Sequence, residues 1–402
     1  MHKFDIHEAC QHDEFGMHAL PYGVFSVEGR DPRVCVRLGY HAIDLFSLFE
    51  DPIFDSTSLN QFMASGRHGW SAVRARIQDM LSSPSAHQRV GNASCPLSRV
   101  RMHMPVDIAD YVDFYASEHH ATNAARILRP GTPELAPNWK RMPVGYHGRS
   151  GTLQPSGTLV RRPRGQCQIS PGQAVFGPTA KLDIEAELAF VVGTGTQLGS
   201  SVAIDAFEDH VFGVTLLNDW SARDIQQWEY VPLGPHLGKS FCTSISNWIL
   251  PLEALAAAKL PASEQYPKPD EYLIGSGVRH TYDVSLEVWI NETLITRPNF
   301  RSMYWTPAQM LAHLTINGAN LRTGDIFASG TISGPNKQEL GCLLELTNDG
   351  ELPFVLNDGT SRGYLRDGDT VVIRATLPTH NGAHIGFGEV RGTITPSYTD
   401  QN

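Results

Sequence analysis

The pattern of hydrophobic and polar positions predicts short β-strands along most of the chain and few helices. Strand-length apolar pieces at 23–27, 34–39 and 41–45 are separated by turns that contain Gly or Pro. This spacing is typical of a small β-barrel or meander. A helix is expected around 69–80. The mixed segment 87–105, with its Ser, Asn and Pro residues, is the expected boundary between two domains.

The most regular alternation lies in residues 181–192. Apolar side chains at the even positions alternate with acidic ones at 183, 185 and 187, which predicts a strand with Glu185 and Glu187 on one face. Two such carboxylates repel each other unless water solvates them or a cation bridges them. A solvent-exposed acidic strand therefore remains an alternative. A hard divalent cation needs several oxygen ligands, and Asp113 and Asp219 are the candidates for the others.

A second informative stretch runs from 211 to 230. Its apolar, β-branched beginning predicts a strand, and the spacing then becomes helical. On a helix that starts at Asp219, the residues Asp219, Arg223, Gln226 and Tyr230 share one face, which indicates a functional surface. The alternative is that Asp219 is an N-cap with an exposed ion pair, a contact that contributes only a few tenths of a kcal/mol.

Other polar groups occur where local structure is harder to assign. Segment 107–129 is crowded with titratable side chains, and a charged surface helix would explain it equally well. Residues 145–149 are predicted to form a tight loop. The glycine-rich stretch 324–335 can bring backbone N–H groups close to a ligand. Glu345 interrupts an apolar run, an expensive placement for an acid unless it has a partner.

Gly238-Lys239-Ser240 is similar to the end of a phosphate-binding loop, but only three residues separate it from the preceding glycine, where that motif needs four. Nucleotide binding is therefore not expected. Lys239 is instead predicted to be a free ammonium donor near Asp219.

Composition narrows the class of protein. The chain has 402 residues, which favours two domains, and no apolar run long enough to span a membrane. A formal charge of -10 argues against nucleic acid or an anionic membrane as a partner. The six scattered cysteines are expected to be reduced. Neither residues 1–8 nor residues 399–402 form a targeting signal, so a cytoplasmic location is expected.

Several motifs together resemble the fumarylacetoacetate hydrolase family. The likeness extends from Leu20 to Gly388. It rests on these segments: Asp113-Phe114-Tyr115, His120-Ala121-Thr122-Asn123, Pro143 to Arg149, Glu185-x-Glu187, Asn218 to Gln226, Trp228 to Pro235, Gly238 to Phe241 and Ala328 to Pro335. The Glu-x-Glu and Asp triple belongs to the wider superfamily, whereas the His120 segment and Trp228 to Pro235 are specific to the hydrolase.

The resemblance implies a mainly β fold of the α+β type. It has a small N-terminal SH3-like β-barrel, residues 1–105, and a larger C-terminal mixed β-roll, residues 106–402. It also implies a homodimer and a bound divalent cation, Ca²⁺ or Mg²⁺. The implied metal site consists of Asp113, Glu185, Glu187 and Asp219, with Lys239 and Thr243.

The same resemblance assigns the remaining roles. His120 is the implied base and Glu345 the acid that orients it, whereas Arg223, Gln226 and Lys239 are the implied oxyanion donors. The implied substrate contacts are Tyr115, Arg129, Tyr146, Gln226, Tyr230 and Thr331. His119 is expected to be structural or exposed, and Asp183 is left without a role.

The implied activity is hydrolysis of a carbon–carbon bond in fumarylacetoacetate, at the end of tyrosine and phenylalanine breakdown. An acylpyruvate hydrolase, decarboxylase or isomerase of the same superfamily is the first alternative. A catalytically lapsed homologue kept as a binding protein is the second. The lapsed homologue would have lost a ligand or the base, and the sequence retains all of these residues.

Overall fold

The fold is built on two large β-sheets. The computed structural model describes residues 4–170, 172–379 and 382–398. A 13-stranded sheet draws on most of the sequence, and a five-stranded sheet draws mainly on its last third. The mainly β class with α+β character is therefore confirmed. No helix in these ranges has the length and apolar character that a bilayer crossing requires. Residues 1–3 and 399–402, which carry part of the targeting prediction, lie outside the described residues.

Residues 4–105 contribute short strands and helices. The strands are β1 Tyr22–Ser26, β2 Arg33–Leu38, β3 His41–Asp44, β4 Ser94–Pro96 and β5 Arg101–Met102. The helices are α1 Ile6–Cys10, α2 Leu45–Phe49, α3 Asn60–Met63, α4 Gly66–Ser82 and α5 His87–Ala93. The predicted strands and the helix at 69–80 are confirmed. Segment 87–105 is more than a linker, because β4 pairs with β3 and β5 pairs with β1.

Residues 106–398 hold the other elements. The helices are α6 Glu118–Leu128, α7 Phe207–His210, α8 Arg223–Glu229, α9 Pro307–Thr315 and α10 Leu343–Leu346. The strands up to residue 222 are β6 Tyr111–Phe114, β7 Gly145–His147, β8 Leu153–Pro155, β9 Leu159–Arg161, β10 Arg164–Ser170, β11 Gln173–Pro178, β12 Leu182–Asp183, β13 Ala186–Val192, β14 Val211–Asp219 and β15 Ser221–Ala222. The later strands are β16 Thr243–Ile245, β17 Trp248–Pro251, β18 Lys259–Pro261, β19 His280–Tyr282, β20 Ser285–Ile290, β21 Thr293–Thr296, β22 Ile326–Ala328, β23 Phe354–Val355, β24 Ser361–Arg362, β25 Thr370–Pro378 and β26 His384–Thr395.

The main sheet has the order β4-β3-β2-β1-β17-β14-β13-β22-β6-β7, with β5, β8 and β16 attached beside it. Its β1–β17 pairing joins the first hundred residues to the rest of the chain. The second sheet has the order β21-β20-β25-β26-β9. The SH3-like barrel and the division at residue 105 stay predictions.

Strand β13 is buried on both faces. Leu188 joins one hydrophobic core, whereas Ala189 and Val191 join the other. Alternate residues of this strand therefore point into two different hydrophobic cores, and neither face of the strand is exposed to solvent. The alternative of a solvent-exposed acidic strand is wrong, because Glu185 is 4% exposed and Glu187 is 0% exposed.

Strand register gathers three acids on one face at one end of the main sheet. Asp113 on β6 lies opposite Ala328 on β22, and β22 pairs in turn with β13. Each acid lies two residues along its strand from a member of the second core: Asp113 from Tyr111, Glu187 from Ala189, and Asp219 from Leu217. Because side chains at alternate positions share a face, the three carboxylates project from the same side.

Two local predictions are wrong, and a third is confirmed only in part. The helix expected from Asp219 begins only at Arg223, because Asp219 ends β14 and the next residues pair as β15 with β12. Asp219 is therefore not an N-cap; that position is Ala222, whose side chain makes no capping bond. The expected loop at Gly145 begins with strand β7, which pairs with β6. The predicted strand 181–192 is interrupted between Asp183 and Ala186.

Candidate active site

A cavity of about 340 Å³ lies at the acidic end of the main sheet. It is lined by most of the predicted site residues: Asp113, Tyr115, His120, Arg129, Tyr146, Glu185, Arg223, Gln226, Tyr230, Lys239 and Thr331. Three other predicted residues are hydrogen-bonded to residues of this wall: Glu187, Asp219 and Glu345. The last one, Thr243, is hydrogen-bonded to Asp219. The structure thus brings together groups that are more than 200 positions apart in the sequence.

Four buried carboxylates meet at one point. Ligand oxygens of Asp113, Glu185, Glu187 and Asp219 all lie within 4.8 Å of one another. Oδ1 of Asp113 and Oε1 of Glu187 are buried and have no hydrogen-bond partner among the described residues. Burial raises the pKa of both acids, and neighbouring carboxylates raise it further. Unpaired oxygens at this spacing fit a hard divalent cation, so these residues could hold a metal ion.

Basic side chains balance the other two acids. The Lys239 ammonium donates to Glu185 and, at 2.9 Å, to Asp219. Arg223 Nη1 lies 2.9 Å from Oε1 of Glu185. Burial alone would raise the pKa of Glu185, but the two positive charges lower it well below its usual range. Burial lowers the pKa of Lys239, yet Asp219 and Glu185 raise it above its usual range. The prediction of a free ammonium is wrong, because Lys239 is paired.

Close backbone packing places Lys239 beneath α8. A Cβ atom at Gly238 would lie 2.6 Å from the Cα of Gln226, so only glycine fits there. Asp219 is in turn held by two hydroxyl groups: Tyr146 donates to Oδ2 at 2.9 Å, and Thr243 donates to Oδ1 at 3.0 Å. Asp219 therefore keeps one orientation towards the carboxylate cluster.

A histidine–carboxylate pair forms the opposite wall. Ser117 caps α6 by accepting the backbone N–H of His120, which fixes this residue in the first turn. Nδ1 of His120 lies 2.6 Å from Oε2 of Glu345 on α10. With Nδ1 as donor, Nε2 is left as the acceptor on a residue that lines the cavity. This arrangement is suited to removing a proton from a group inside the cavity.

Three further donors converge on the Glu345 carboxylate. Asn123 donates to Oε1 at 2.9 Å, and Ser333 donates to Oε2 at 2.7 Å. The thiol of Cys342 donates to the same Oε2 at 3.1 Å. Burial would raise the pKa of Glu345, but its interaction with His120 and the hydrogen bonds from His120, Asn123 and Ser333 lower it to about 2. The carboxylate is therefore ionised and able to stabilise a protonated imidazole.

Arg223 presents one amino group, Nη2, without a hydrogen-bond partner among the described residues. Its Nε donates to Asp183 at 2.8 Å, and its Nη1 donates to Gln226 at 3.1 Å. Nη2 is buried and has no hydrogen-bond partner within the described part of the chain. A buried, unpaired guanidinium donor is costly unless a ligand oxygen completes it. This atom is therefore a donor available to a ligand that enters the cavity.

The rest of the wall is aromatic and polar. Tyr115 packs its ring edge-on against His120, with centroids 5.2 Å apart. Arg129 follows the last residue of α6, and Tyr230 follows the last residue of α8 and is half-exposed. Thr331 has a buried Oγ1 for which no partner occurs in the described ranges. The cavity thus offers a cation and several hydroxyl groups to an anionic ligand.

Sequence reasoning missed the groups that support the pair. Asn123 is one helical turn from His120, so helical spacing could have identified it. Ser333 gave no comparable signal, because only the fold brings it to Glu345. Cys342 lies three positions before Glu345 at the start of α10, so helical spacing could have identified it as well. Asp183 was left without a role although it shares the alternation of Glu185 and Glu187.

The fold and the cavity define an enzyme, since a histidine that is hydrogen-bonded to an ionised carboxylate faces a carboxylate cluster across a space of ligand size. The family model described as fumarylacetoacetate (FAA) hydrolase C-terminal matches residues 110–395, and the one described as fumarylacetoacetase N-terminal matches residues 18–105. The chain belongs to the fumarylacetoacetate hydrolase family, which confirms the resemblance.

Relatives match over nearly the whole chain. Fumarylacetoacetase from Bos taurus is 42% identical, and the match covers 96% of this chain and 98% of that one. Fumarylacetoacetase from Arabidopsis thaliana is 43% identical over 95% and 96% of the two chains. Among solved structures, fumarylacetoacetate hydrolase from Exiguobacterium antarcticum has a TM-score of 0.56 at 17% identity and covers 94% of this chain and 99% of its own. At that identity, the structural likeness shows the fold alone.

Proposed function

We propose that this chain is an enzyme that hydrolyses a carbon–carbon bond of fumarylacetoacetate and releases fumarate and acetoacetate, the last step of tyrosine and phenylalanine breakdown. The observation that carries the proposal is the match at about 42% identity to curated fumarylacetoacetases over 96% of the chain. The geometry of the cavity adds support, because it combines a base, a carboxylate cluster and unpaired donors.

We assign the cation site to Asp113, Glu185, Glu187 and Asp219. Thr243 orients Asp219, and Lys239 balances the charges of Asp219 and Glu185. All four acids offer carboxylate oxygens as ligand atoms, and Ca²⁺ and Mg²⁺ prefer oxygen ligands. A maleylpyruvate hydrolase from Sphingobium with the same fold was solved with manganese(II) and pyruvate, at a TM-score of 0.54 and 17% identity. A divalent cation bound here would supply a Lewis acid for the two carbonyl oxygens of a β-diketone.

His120 is the proposed base. Its Nε2 takes a proton from a water molecule, and the resulting hydroxide attacks the ketone carbon that becomes a carboxylate carbon of fumarate. Glu345 holds Nδ1–H and stabilises the imidazolium, as carboxylates do in comparable pairs. When the carbon–carbon bond breaks, its electron pair leaves with the acetoacetate carbon. The imidazolium then returns its proton to that carbanion, so the step consumes one water and leaves the enzyme unchanged.

Arg223, Gln226 and Lys239 are the proposed oxyanion donors. The unpaired Nη2 of Arg223 is the strongest case, because it is already desolvated and has no protein acceptor within the described residues. Such preorganised donors stabilise the tetrahedral alkoxide, and removing one typically costs ~10²–10³-fold in turnover. The Gln226 side chain accepts from Arg223 Nη1, which leaves its amide N–H groups for the same task.

The substrate's terminal carboxylate is proposed to pair with Arg129. Tyr115, Tyr146, Tyr230 and Thr331 contribute hydroxyl groups to the remaining polar atoms of the substrate. All of these residues line the same cavity as His120. A local cation therefore allows an acidic substrate to bind in spite of the formal charge of -10.

We further propose a cytoplasmic homodimer with an N-terminal SH3-like barrel at 1–105 and a catalytic β-roll at 106–402. Apolar side chains next to the cavity are exposed: Val231 is 65% and Leu233 98% exposed. An exposed apolar segment beside an active site is typical of an interaction surface. Light scattering on the purified protein tests the dimer, and a monomer at micromolar concentration would contradict it.

The proposed activity is tested by following the loss of diketone absorbance of fumarylacetoacetate with purified protein, with and without a chelator. We expect turnover that disappears on complete removal of divalent cations and returns when Mg²⁺ or Ca²⁺ is added. Acylpyruvates are assayed in parallel. A kcat/KM higher for an acylpyruvate, or no turnover of either compound, would refute the proposed function. Undiminished activity after metal removal would refute the role of the cation.

A further inference from the structure

The Asp183 carboxylate is a fully hydrogen-bonded, buried acid near the cavity, and the mechanism above does not use it. It is 0% exposed. Its Oδ1 accepts the backbone N–H groups of Ile184 and Leu343, each at 2.7 Å. Its Oδ2 accepts the N–H of Leu344 at 2.9 Å and Nε of Arg223 at 2.8 Å. Four donors complete the hydrogen-bonding capacity of a carboxylate.

These four contacts join two parts of the site that are far apart in the sequence. Leu343 and Leu344 are the first two residues of α10, and the third is Glu345, which pairs with His120. On the other side, the bond to Nε fixes the guanidinium plane of Arg223, whose Nη1 reaches Glu185 and whose Nη2 lacks a partner. A single buried anion therefore connects the oxyanion donor to the base.

The geometry also limits what could replace this connection. Apart from the bond to Asp183, no direct hydrogen bond joins Arg223 to α10 within the described residues. Breaking one partner of a buried ion pair leaves an uncompensated charge. Catalytic groups must be held within fractions of an ångström to act together on one substrate.

We propose that Asp183 is a positioning residue that sets the distance between the Arg223 guanidinium and the Glu345–His120 pair. The assignment rests on the proposed function, because it assumes that Arg223 and His120 act on the same substrate. Asp183 itself touches neither the cavity nor the substrate. Its effect on turnover passes through its two partners.

The test is the Asp183→Asn variant, which keeps the size of the side chain but removes its charge and half of its acceptor capacity. We expect kcat to fall by ~10²-fold and KM to change by less than ~3-fold, because misplacement affects the transition state more than binding. Asp183→Glu restores the charge with one extra methylene group and should recover part of kcat. It also serves as the second variant if the Asn protein does not fold.

The chain offers a matched control. Asp369 is 2% exposed, pairs with Nε of Arg362 at 2.8 Å and accepts a backbone N–H from Arg366 at 2.8 Å, but it does not line the cavity. Asp369→Asn should lower Tm without changing kcat. If Asp183→Asn also lowers only Tm, or raises KM with kcat intact, Asp183 has a structural role and the proposal is wrong.

Two further measurements separate this proposal from the proposed function. In a double-mutant cycle, Asp183→Asn should lower kcat by a smaller factor in an Arg223→Gln background than in the wild type, because groups that act as a unit are not additive. Additive losses would contradict the proposal. A crystal structure of Asp183→Asn should show the Arg223 guanidinium or the Glu345 carboxylate displaced. If both keep their positions, positioning by Asp183 is refuted even if the wild type acts on another substrate.

Discussion

Replacing Glu345 by Gln is the most direct test of the histidine–carboxylate pair. The substitution keeps the size of the side chain and removes the negative charge that lies 2.6 Å from Nδ1 of His120. It also places an amide NH₂ among donors, since Asn123, Ser333 and Cys342 all point at this group. At least one of these contacts becomes donor against donor, or the amide donates to Nδ1 and forces the unproductive tautomer.

The expected loss of kcat in Glu345→Gln can be worked out from the pKa of Glu345. This pKa lies at about 2 instead of the usual 4.5, because the charge of His120 and the hydrogen bonds outweigh the effect of burial. At about 1.4 kcal/mol per pKa unit, the surroundings favour the carboxylate by roughly 3 kcal/mol. Losing a comparable stabilisation of the imidazolium reduces kcat by about 10²-fold. The tautomer adds to this loss, so we expect a decrease of ~10²–10⁴-fold.

Steady-state kinetics on fumarylacetoacetate, together with thermal melts, measure the effect. The control is Glu389→Gln, which removes an acid that pairs with Arg374 at 2.9 Å on the five-stranded sheet, away from the cavity. We expect the control to retain wild-type kcat. If folded Glu345→Gln protein keeps kcat within ~3-fold of the wild type, Glu345 does not support the base and the assignment of His120 loses its main physical argument.

Three other predictions concern the cation site, the substrate carboxylate and pH. Glu187→Gln removes a buried acid whose Oε1 has no hydrogen-bond partner among the described residues and whose pKa is raised by burial and by neighbouring carboxylates. The metal-free variant should therefore melt about 2 °C or more above the metal-free wild type, while calorimetry shows Mg²⁺ or Ca²⁺ affinity at least ~10-fold weaker. Arg129→Met should raise KM by ~10-fold or more with kcat within ~3-fold, as measured by steady-state kinetics. Because the folded-state pKa of Glu345 is lowered, its contribution to stability is complete above about pH 4.5 and is lost as the pH falls towards 2. The Tm difference between wild type and Glu345→Gln should therefore shrink across that range.

Local patterns were sufficient for much of the frame. The short strands of the first hundred residues and helix α4 follow from turn residues and apolar spacing, and the fold confirms them. Strand β13, with Glu187 on one of its faces, also follows from the alternation, whereas Glu185 lies in the interruption that precedes this strand. The burial of that face does not, because it requires a second core formed by α4 and other elements of the first hundred residues. A single strand carries no information about what packs on either side of it.

Helical spacing gave a partly correct answer for the wrong geometric reason. Asp219, Arg223, Gln226 and Tyr230 do converge on one site, but they are not on one helix. Asp219 arrives on the end of β14, and the turn through β15 replaces the first helical turn. Tertiary pairing with β12 decides this boundary, and Asp183 lies in that same strand. The pairing of β12 with β15 therefore explains both errors: it delays the start of the helix to Arg223, and it brings Asp183 to the Arg223 side chain.

The charge balance of the carboxylate cluster connects the fold to the chemistry. Two of the four acids, Glu185 and Asp219, are paired with Lys239 or Arg223, whereas Asp113 and Glu187 keep oxygens without a hydrogen-bond partner among the described residues. A sheet end selected for stability alone would place apolar residues here, since replacing buried charges by packed hydrophobic groups is often neutral or stabilising. The two uncompensated acids therefore cost stability that a divalent cation can offset. Because the same cluster contacts Arg223 through Glu185, a cation bound there would also fix the donor that Asp183 holds from the other side.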